Sequence, residues 1–171
     1  MKQAIQVVTI EKMTKQLCRQ FYKDFQMDPA LYLDPAEFRP FVYEEAERDA
    51  YFEHYQQLGR VHLAVMLEGR PIGEIVLKKM DWKQRCCTMG IVMQCDAYKN
   101  RGLGTQAERL ALQYAFDELG LDTVYADAVR TNTRSQHVLE KVGFHFIRED
   151  KTFKYYAITK GEWRQFCSQL R

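Results

Sequence analysis

The sequence predicts an α+β fold in which a mixed, mostly antiparallel central sheet is flanked by helices. Three observations carry that prediction. The strand candidates His62 to Leu67, Ile72 to Met80 and Arg85 to Met93 follow one another through two short turns, Glu68-Gly69-Arg70-Pro71 and Asp81-Trp82-Lys83-Gln84. Links that short join antiparallel neighbours and cannot carry a crossover. A glycine-rich turn then opens one strand–helix–strand unit, and a closing hairpin ends the run of elements.

At the N-terminus, Gln3 to Ile10 reads as a first strand, and Lys12 to Phe25 as an amphipathic helix with Leu17, Phe21 and Phe25 at helical spacing. From Met27 to Arg60 the pattern is less regular; Pro29, Pro35 and Pro40 interrupt it before a helix expected over Tyr43 to Leu58. Beyond the three hairpin strands, Thr105 to Leu119 is helical, with Ala107, Leu110, Ala111, Ala115 and Leu119 on one stripe and Gly120 as its stop. Thr123 to Val129 is a strand, and Arg134 to Val142 a short helix ended by Gly143. Phe144 to Arg148 and Phe153 to Thr159 form the closing hairpin around Glu149-Asp150-Lys151, and Gly161 to Leu170 is a last helix.

A chain of 171 residues, 46% apolar and 28% charged, is expected to fold as a single domain over 1–171. A formal charge of +2 is too small to attract nucleic acid by bulk electrostatics. Apolar runs such as Leu63 to Leu67 are too short to span a membrane, and the N-terminus lacks the apolar stretch of a signal peptide. The five cysteines are odd in number and include no Cys-x-x-Cys, which argues against a disulfide framework or a metal site and for the cytoplasm. Cys86 and Cys87, being adjacent on a strand, are expected on opposite faces as buried thiols.

The run Lys99-Asn100-Arg101-Gly102-Leu103-Gly104-Thr105 carries the first chemistry. Gly102 and Gly104 leave the main-chain N–H groups of Arg101 to Thr105 open to an anion, and the helix that follows adds roughly half a positive charge. Lys99 and Arg101 bring full charges that suit a diphosphate. The glycines are equally compatible with a plain strand-to-helix turn. Gly102 to Ala107 also fits the dinucleotide fingerprint Gly-x-Gly-x-x-Ala, with Asp127 about twenty residues beyond. Element order opposes that option, because hairpin-linked strands precede the turn and only one βαβ unit follows.

About thirty residues on stand Asn132-Thr133-Arg134-Ser135 and Leu139-Glu140-Lys141-Val142-Gly143-Phe144. Together with the turn, whose Lys99 replaces the usual Gln or Arg, they resemble the acetyl-CoA-binding core of the GCN5-related N-acetyltransferase (GNAT) family. The resemblance covers Ile72 to Phe146 well and the first sixty residues poorly. It implies a GNAT fold and acetyl-CoA as cosubstrate. It further implies direct transfer of an acetyl group to a primary amine (a polyamine, an aminosugar or a peptide or protein amine), in the manner of the ribosomal-protein and polyamine branch. By the same resemblance, Lys99, Asn100, Arg101, Gly102, Leu103, Gly104 and Thr105 hold the diphosphate. The main chain of Ile91, Val92 and Met93 pairs with the pantetheine arm where two strands splay apart, and Asn132 with Ser135 contacts the arm. Asn132 also suits the role of helix N-cap.

Such a transfer needs neither a nucleophilic side chain nor a metal, but the amine must lose a proton and the leaving thiolate benefits from one. Many members of the family place a Tyr donor directly before Glu-Lys-x-Gly-Phe. Leu139 stands there in this chain, so Tyr155, Tyr156 or Ser135 through water are the substitutes to consider. Without that Tyr, a non-catalytic acyl-CoA-binding regulatory module is the competing reading. For the base, Glu74 comes first, because its alternation with Ile72 and Val76 suggests a partly buried carboxylate; Asp127, between two alanines, comes second. The four histidines are expected to be packed or exposed rather than catalytic.

Asp24 to Glu53 carries nine acids against two bases, a local balance of −7, interleaved with Tyr32, Phe38, Phe41, Tyr43, Tyr51, Phe52 and Tyr55. Such a wall is suited to draw in a cationic amine by field and cation–π contact, or it is simply a solvated helix face. Edge strands near the C-terminus are available for pairing in a homodimer.

Overall fold

The computed structural model describes residues 6–170. One seven-stranded sheet runs through them, with strands β1 (Thr9–Lys12), β2 (Val61–Leu67), β3 (Arg70–Asp81), β4 (Cys86–Met93), β5 (Thr123–Val129), β6 (His145–Glu149) and β7 (Phe153–Thr159). The spatial order is β1-β2-β3-β4-β5-β7-β6. All neighbours are antiparallel except β4 and β5. The helices are α1 (Lys15–Lys23), α2 (Glu45–Gln57), α3 (Leu103–Gln113), α4 (Thr133–Val142) and α5 (Lys160–Gln169).

Alternation along the strands sorts the core into two layers. Leu63, Val65 and Leu67 of β2 join Ile75 and Leu77 of β3 in a cluster with Leu103, Ala107, Ala111 and Leu112 of α3. Ala64 and Met66, one residue out of phase, pack on the other face with Cys18, Phe21 and Tyr22 of α1. A period of two thus gives each strand one face for α3 and one for α1 and α2. Burial pushes the thiols of Cys18 and Cys87 up to about 12, while Cys86, on the opposite face from Cys87, is half-buried.

Several boundaries move from where the pattern puts them. Part of the expected first strand, residues 3–5, lies outside the described residues; the strand itself forms at Thr9–Lys12. The first helix starts later than expected because the Thr14 side chain accepts from the Leu17 N–H and caps it. The long helix keeps α-geometry only to Gln113, then widens into one π-turn over Tyr114–Glu118 before Gly120. Asn132 does cap α4, its side chain accepting from the Ser135 N–H at 3.1 Å.

The parallel pairing of β4 with β5 is short. It runs from Cys86 opposite Thr123 to Met89 opposite Ala126 and stops. Beyond it, Gly90 to Met93 stay paired with β3 alone, so their other edge is open on the β5 side. That gap in the sheet is the origin of the site.

Candidate active site

After β4 the chain makes a short 3-10 turn at Asp96–Tyr98 and then reverses through Asn100 and Gly102, whose φ values are +57° and +75°. Asn tolerates the left-handed region and Gly favours it, so the turn presents successive N–H groups on its concave side. Gly102 is the N-cap of α3 and, lacking a side chain, caps nothing; the first N–H groups of the helix have no side-chain acceptor. A Cβ built on Gly102 or Gly104 would meet no atom within 4 Å, and both glycines line an open cleft.

This first cleft has a volume of about 340 Å³. Ile91, Val92 and Met93 form one wall, Lys99, Asn100, Gly102, Gly104 and Thr105 one end, and Asn132 and Ser135 the opposite wall. Two of the expected ligands do not reach it. The Arg101 guanidinium turns to the Ala97 carbonyl at 3.0 Å and to the Gln6 side chain, and Leu103 sits in the core at 1% exposure. Arg101 and Leu103 are therefore set aside as side-chain ligands, although their backbone belongs to the turn.

Lys99 lines the cleft, but its ammonium is held by Asp28 at 2.6 Å and Asp96 at 2.7 Å. Asp28 also accepts from Arg134 at 3.1 Å, so one carboxylate bridges two cations across the cleft. Burial raises the Asp28 carboxyl, but Lys99, the Ala30 N–H and Arg134 outweigh it and hold the group below the usual carboxylate range. Arg134 and Lys141 were not singled out from sequence. Their signal is the helical spacing 134, 138, 141, which brings Arg134, Val138 and Lys141 to one side of α4.

A second cleft of about 370 Å³ opens on the α1–α2 face of the sheet and shares Ile91, Val92, Glu108, Asn132 and Ser135 with the first. Glu74 lies in its wall at 3% exposure beside Val76, while Ile72, expected on the same face, joins the α3-side core because a β-bulge opposite Val65 and Met66 puts it out of phase. Glu74 accepts three hydrogen bonds: from the Tyr22 hydroxyl at 2.5 Å, from the Tyr51 hydroxyl at 2.8 Å, and from His62 Nε2. Burial first, then the charge of Glu74, pushes both phenols far above their usual range, so they remain donors. His62 is thus a partner of the carboxylate rather than a bystander, with its Nδ1 buried and unpartnered. Sequence reasoning missed this set, because Tyr22, Tyr51 and His62 come from α1, α2 and β2.

Asp127 also lines the second cleft, on the face of β5 away from α3. Tyr156 does not. It faces the core beside Ala126 at 1% exposure, on the other side of the sheet from Asp127, and lines neither cleft. Tyr155 donates to Asp150 at 2.6 Å in the β6–β7 hairpin and lines neither cleft. Leu139 lines the second cleft at 3% exposure.

The acidic, aromatic segment also differs from expectation. Its ring cage of Tyr22, Phe41 and Tyr51 is filled by the chain's own Arg48, whose guanidinium carbon lies 4.9 to 5.3 Å from the three ring centres. Glu53, Asp49 and Glu45 pair with Lys15 and Arg19 of α1, while Asp28 and Asp34 cap the turns at Pro29–Leu31 and Pro35–Glu37. Three of the nine acids thus fasten α2 to α1. Among the ionisable groups that line the second cleft, the acids are Glu74, Glu108 and Asp127 and the bases Arg60 and Lys78, with Arg60 stacked on Tyr55 at 4.3 Å.

A family model described as an acetyltransferase (GNAT) domain matches residues 8–145. The chain belongs to the GNAT family. Among curated relatives, the spermidine N(1)-acetyltransferase of Escherichia coli K12 is 27% identical over 96 residues, which is 56% of this chain and 51% of that protein. This GNAT chain therefore matches about half the length of that relative. The putative ribosomal N-acetyltransferase YdaF of Bacillus subtilis is 27% identical over 134 residues, 71% of this chain and 72% of that one. A solved structure, AAC(6')-Ib in complex with ribostamycin and coenzyme A, superposes with a TM-score of 0.73 at 18% identity, covering 93% of this chain and 97% of that one. The seven-stranded mixed sheet with flanking helices is thus the GNAT fold.

Proposed function

We propose that this GNAT domain is an N-acetyltransferase that uses acetyl-CoA to acetylate a small primary amine of the polyamine or aminosugar class. The observation that carries the reading is the meeting of two clefts across one gap in the sheet. One end has free helix N–H groups for a diphosphate, the gap has an open strand edge for an amide-bearing arm, and the far side has a buried carboxylate for an amine.

Acetyl-CoA, when bound, would supply the thioester carbonyl that the amine attacks, the C–S bond breaking as the C–N bond forms and CoA leaving as its thiolate. The turn from Asn100 to Thr105 holds its diphosphate, and the main chain of Ile91 to Met93 holds its arm as an added strand would. Glu74 faces the amine. An alkylammonium with a pKa of about 10.4 must release a proton near neutral pH, at a cost of about 4 kcal/mol if nothing accepts it. Three of the roughly four acceptor positions of the Glu74 carboxylate are already filled by fixed donors, which leaves one directed at the cleft. Glu74 therefore orients the ammonium and takes its proton, with Asp127 a secondary acceptor on the same sheet face. Leu139 is the feature that favours a non-catalytic acyl-CoA-binding module instead, and turnover separates the two.

Thermal midpoints measured with acetyl-CoA, CoA and NAD in parallel test the cofactor. A ligand at a hundred times its Kd adds about 2.7 kcal/mol, which is easily read. Stabilisation by both CoA species and not by NAD is expected, followed by thiol release with spermidine or an aminosugar as acceptor. A response to NAD alone overturns the reading. Binding of CoA without thiol release across a panel of amines leaves the module.

A further inference from the structure

Glu108 stands one helical turn beyond Gly104 and Thr105, on the same side of α3, and forms part of both cleft walls where they meet. It is 2% exposed, and its Oε2 is buried with no hydrogen-bond partner. Among the described residues no cation pairs with it. Burial alone pushes its carboxyl up to about 8, so near neutral pH it is largely the protonated acid. A buried carboxyl left unsatisfied in this way costs stability and gives the fold nothing in return. Its neighbours one turn further on, Ala111 and Leu112, lie in the core, a setting that Leu would serve better.

We propose that Glu108 is a binding residue for the acyl-pantetheine arm, its carboxyl donating a hydrogen bond to an amide carbonyl of the arm. The inference rests on the acetyl-CoA reading above and adds a residue to it. The geometry is complementary on both sides of the gap. Gly90 to Met93 offer main-chain groups from β4, Asn132 and Ser135 stand on α4, and Glu108 reaches the gap from α3. Because α3 rises about 5.4 Å per turn, a chain anchored by its phosphates at Gly104 has its first amide region, not its nucleotide, beside Glu108. A protonated carboxyl supplies there a donor that the apolar neighbours on α3 lack.

Calorimetric titration of the wild type, Glu108→Leu and Glu108→Gln with CoA, 4′-phosphopantetheine and adenosine 3′,5′-bisphosphate tests this. Leu fills the buried volume, and Gln keeps a donor. Glu108→Leu is expected to weaken CoA and 4′-phosphopantetheine by about tenfold, the range of one lost hydrogen bond that leaves its partner unsatisfied. Adenosine 3′,5′-bisphosphate, which lacks the arm, is expected to bind unchanged and so shows that the variant is folded. Glu108→Gln is expected within about threefold of the wild type for all three. Equal binding of CoA by the wild type and Glu108→Leu overturns the assignment while leaving the acetyl-CoA reading intact. Loss of all three ligands together also overturns it, since the defect is then not in the arm. A wild type that binds no CoA overturns both readings.

Discussion

The end of the cleft proposed to bind an anion and the side proposed to receive the amine are made of different material. At the first, the working groups are main-chain N–H groups of one turn, shaped by Asn100 and Gly102, and the side chains contribute mainly by being small. At the second, one carboxylate is held by side chains 52, 23 and 12 residues away in sequence, from two helices and a neighbouring strand. A main-chain site fails when something is added to it, a side-chain network when something is taken away. The two regions therefore call for opposite substitutions.

The largest effect is expected from addition at the turn. Gly104 has ordinary φ and open space beyond its Cα, so Gly104→Asp keeps the fold while placing a like charge against a diphosphate. CoA affinity measured by calorimetry should fall more than about a hundredfold, with the thermal midpoint of the free protein close to wild type. Unchanged affinity would reduce the glycines to a turn. Removal on the acceptor side comes next. Glu74→Gln should lower kcat/KM for the amine by about 10² to 10³ while leaving the Kd for CoA unchanged, and Asp127→Asn should cost less than about tenfold. A reversal of that order would move the base to β5.

Glu108, shared by both regions, gives a pH test. Its folded carboxyl gives up its proton near pH 8, the unfolded one at about 4.3. Between those values the native state holds the extra proton, so this group makes stability fall as pH rises. Denaturant unfolding of Glu108→Gln should lack that slope. It should gain on the order of 2–4 kcal/mol relative to wild type between pH 5 and pH 8. Arg48→Leu should cost about 1–2 kcal/mol in the same assay by emptying the Tyr22, Phe41 and Tyr51 cage, with CoA binding untouched. The smallest effect is that of salt on the acceptor KM. Since Asp49, Glu53 and Glu45 are neutralised by α1, raising ionic strength tenfold should shift it by only about a few fold.

The same contrast accounts for what could be read from the chain. The turn, the Asn132 cap and the hairpin order were legible because each is local: a spacing of a few residues dictates a backbone shape. Glu74 was legible as a buried position through strand alternation, but its three donors were not, since nothing in the spacing of Tyr22, Tyr51 and His62 brings them together. Tyr156 was misplaced for a related reason. Period two tells which strand residues share a face, and only the packing of α3 decides that the face of Tyr156 is the core. The charge of Asp24 to Glu53 gave a correct sum and left two roles open, because composition does not reveal that Lys15, Arg19 and Lys99, all outside the segment, pair with four of its acids.

The early end of the β4–β5 pairing has a consequence for what else can enter. An unpaired strand edge ordinarily invites any passing peptide, which is how sheets associate wrongly. Here the edge is recessed in a slot, with Asn132 and Ser135 along one flank and Glu108 beneath. A polypeptide would bring side chains alternately above and below the sheet, where Glu108 and the walls of the two clefts already stand. A slender, unbranched thread with amides at intervals meets no such obstacle. By cross-section, the slot would suit the proposed cofactor tail better than a strand of a second chain.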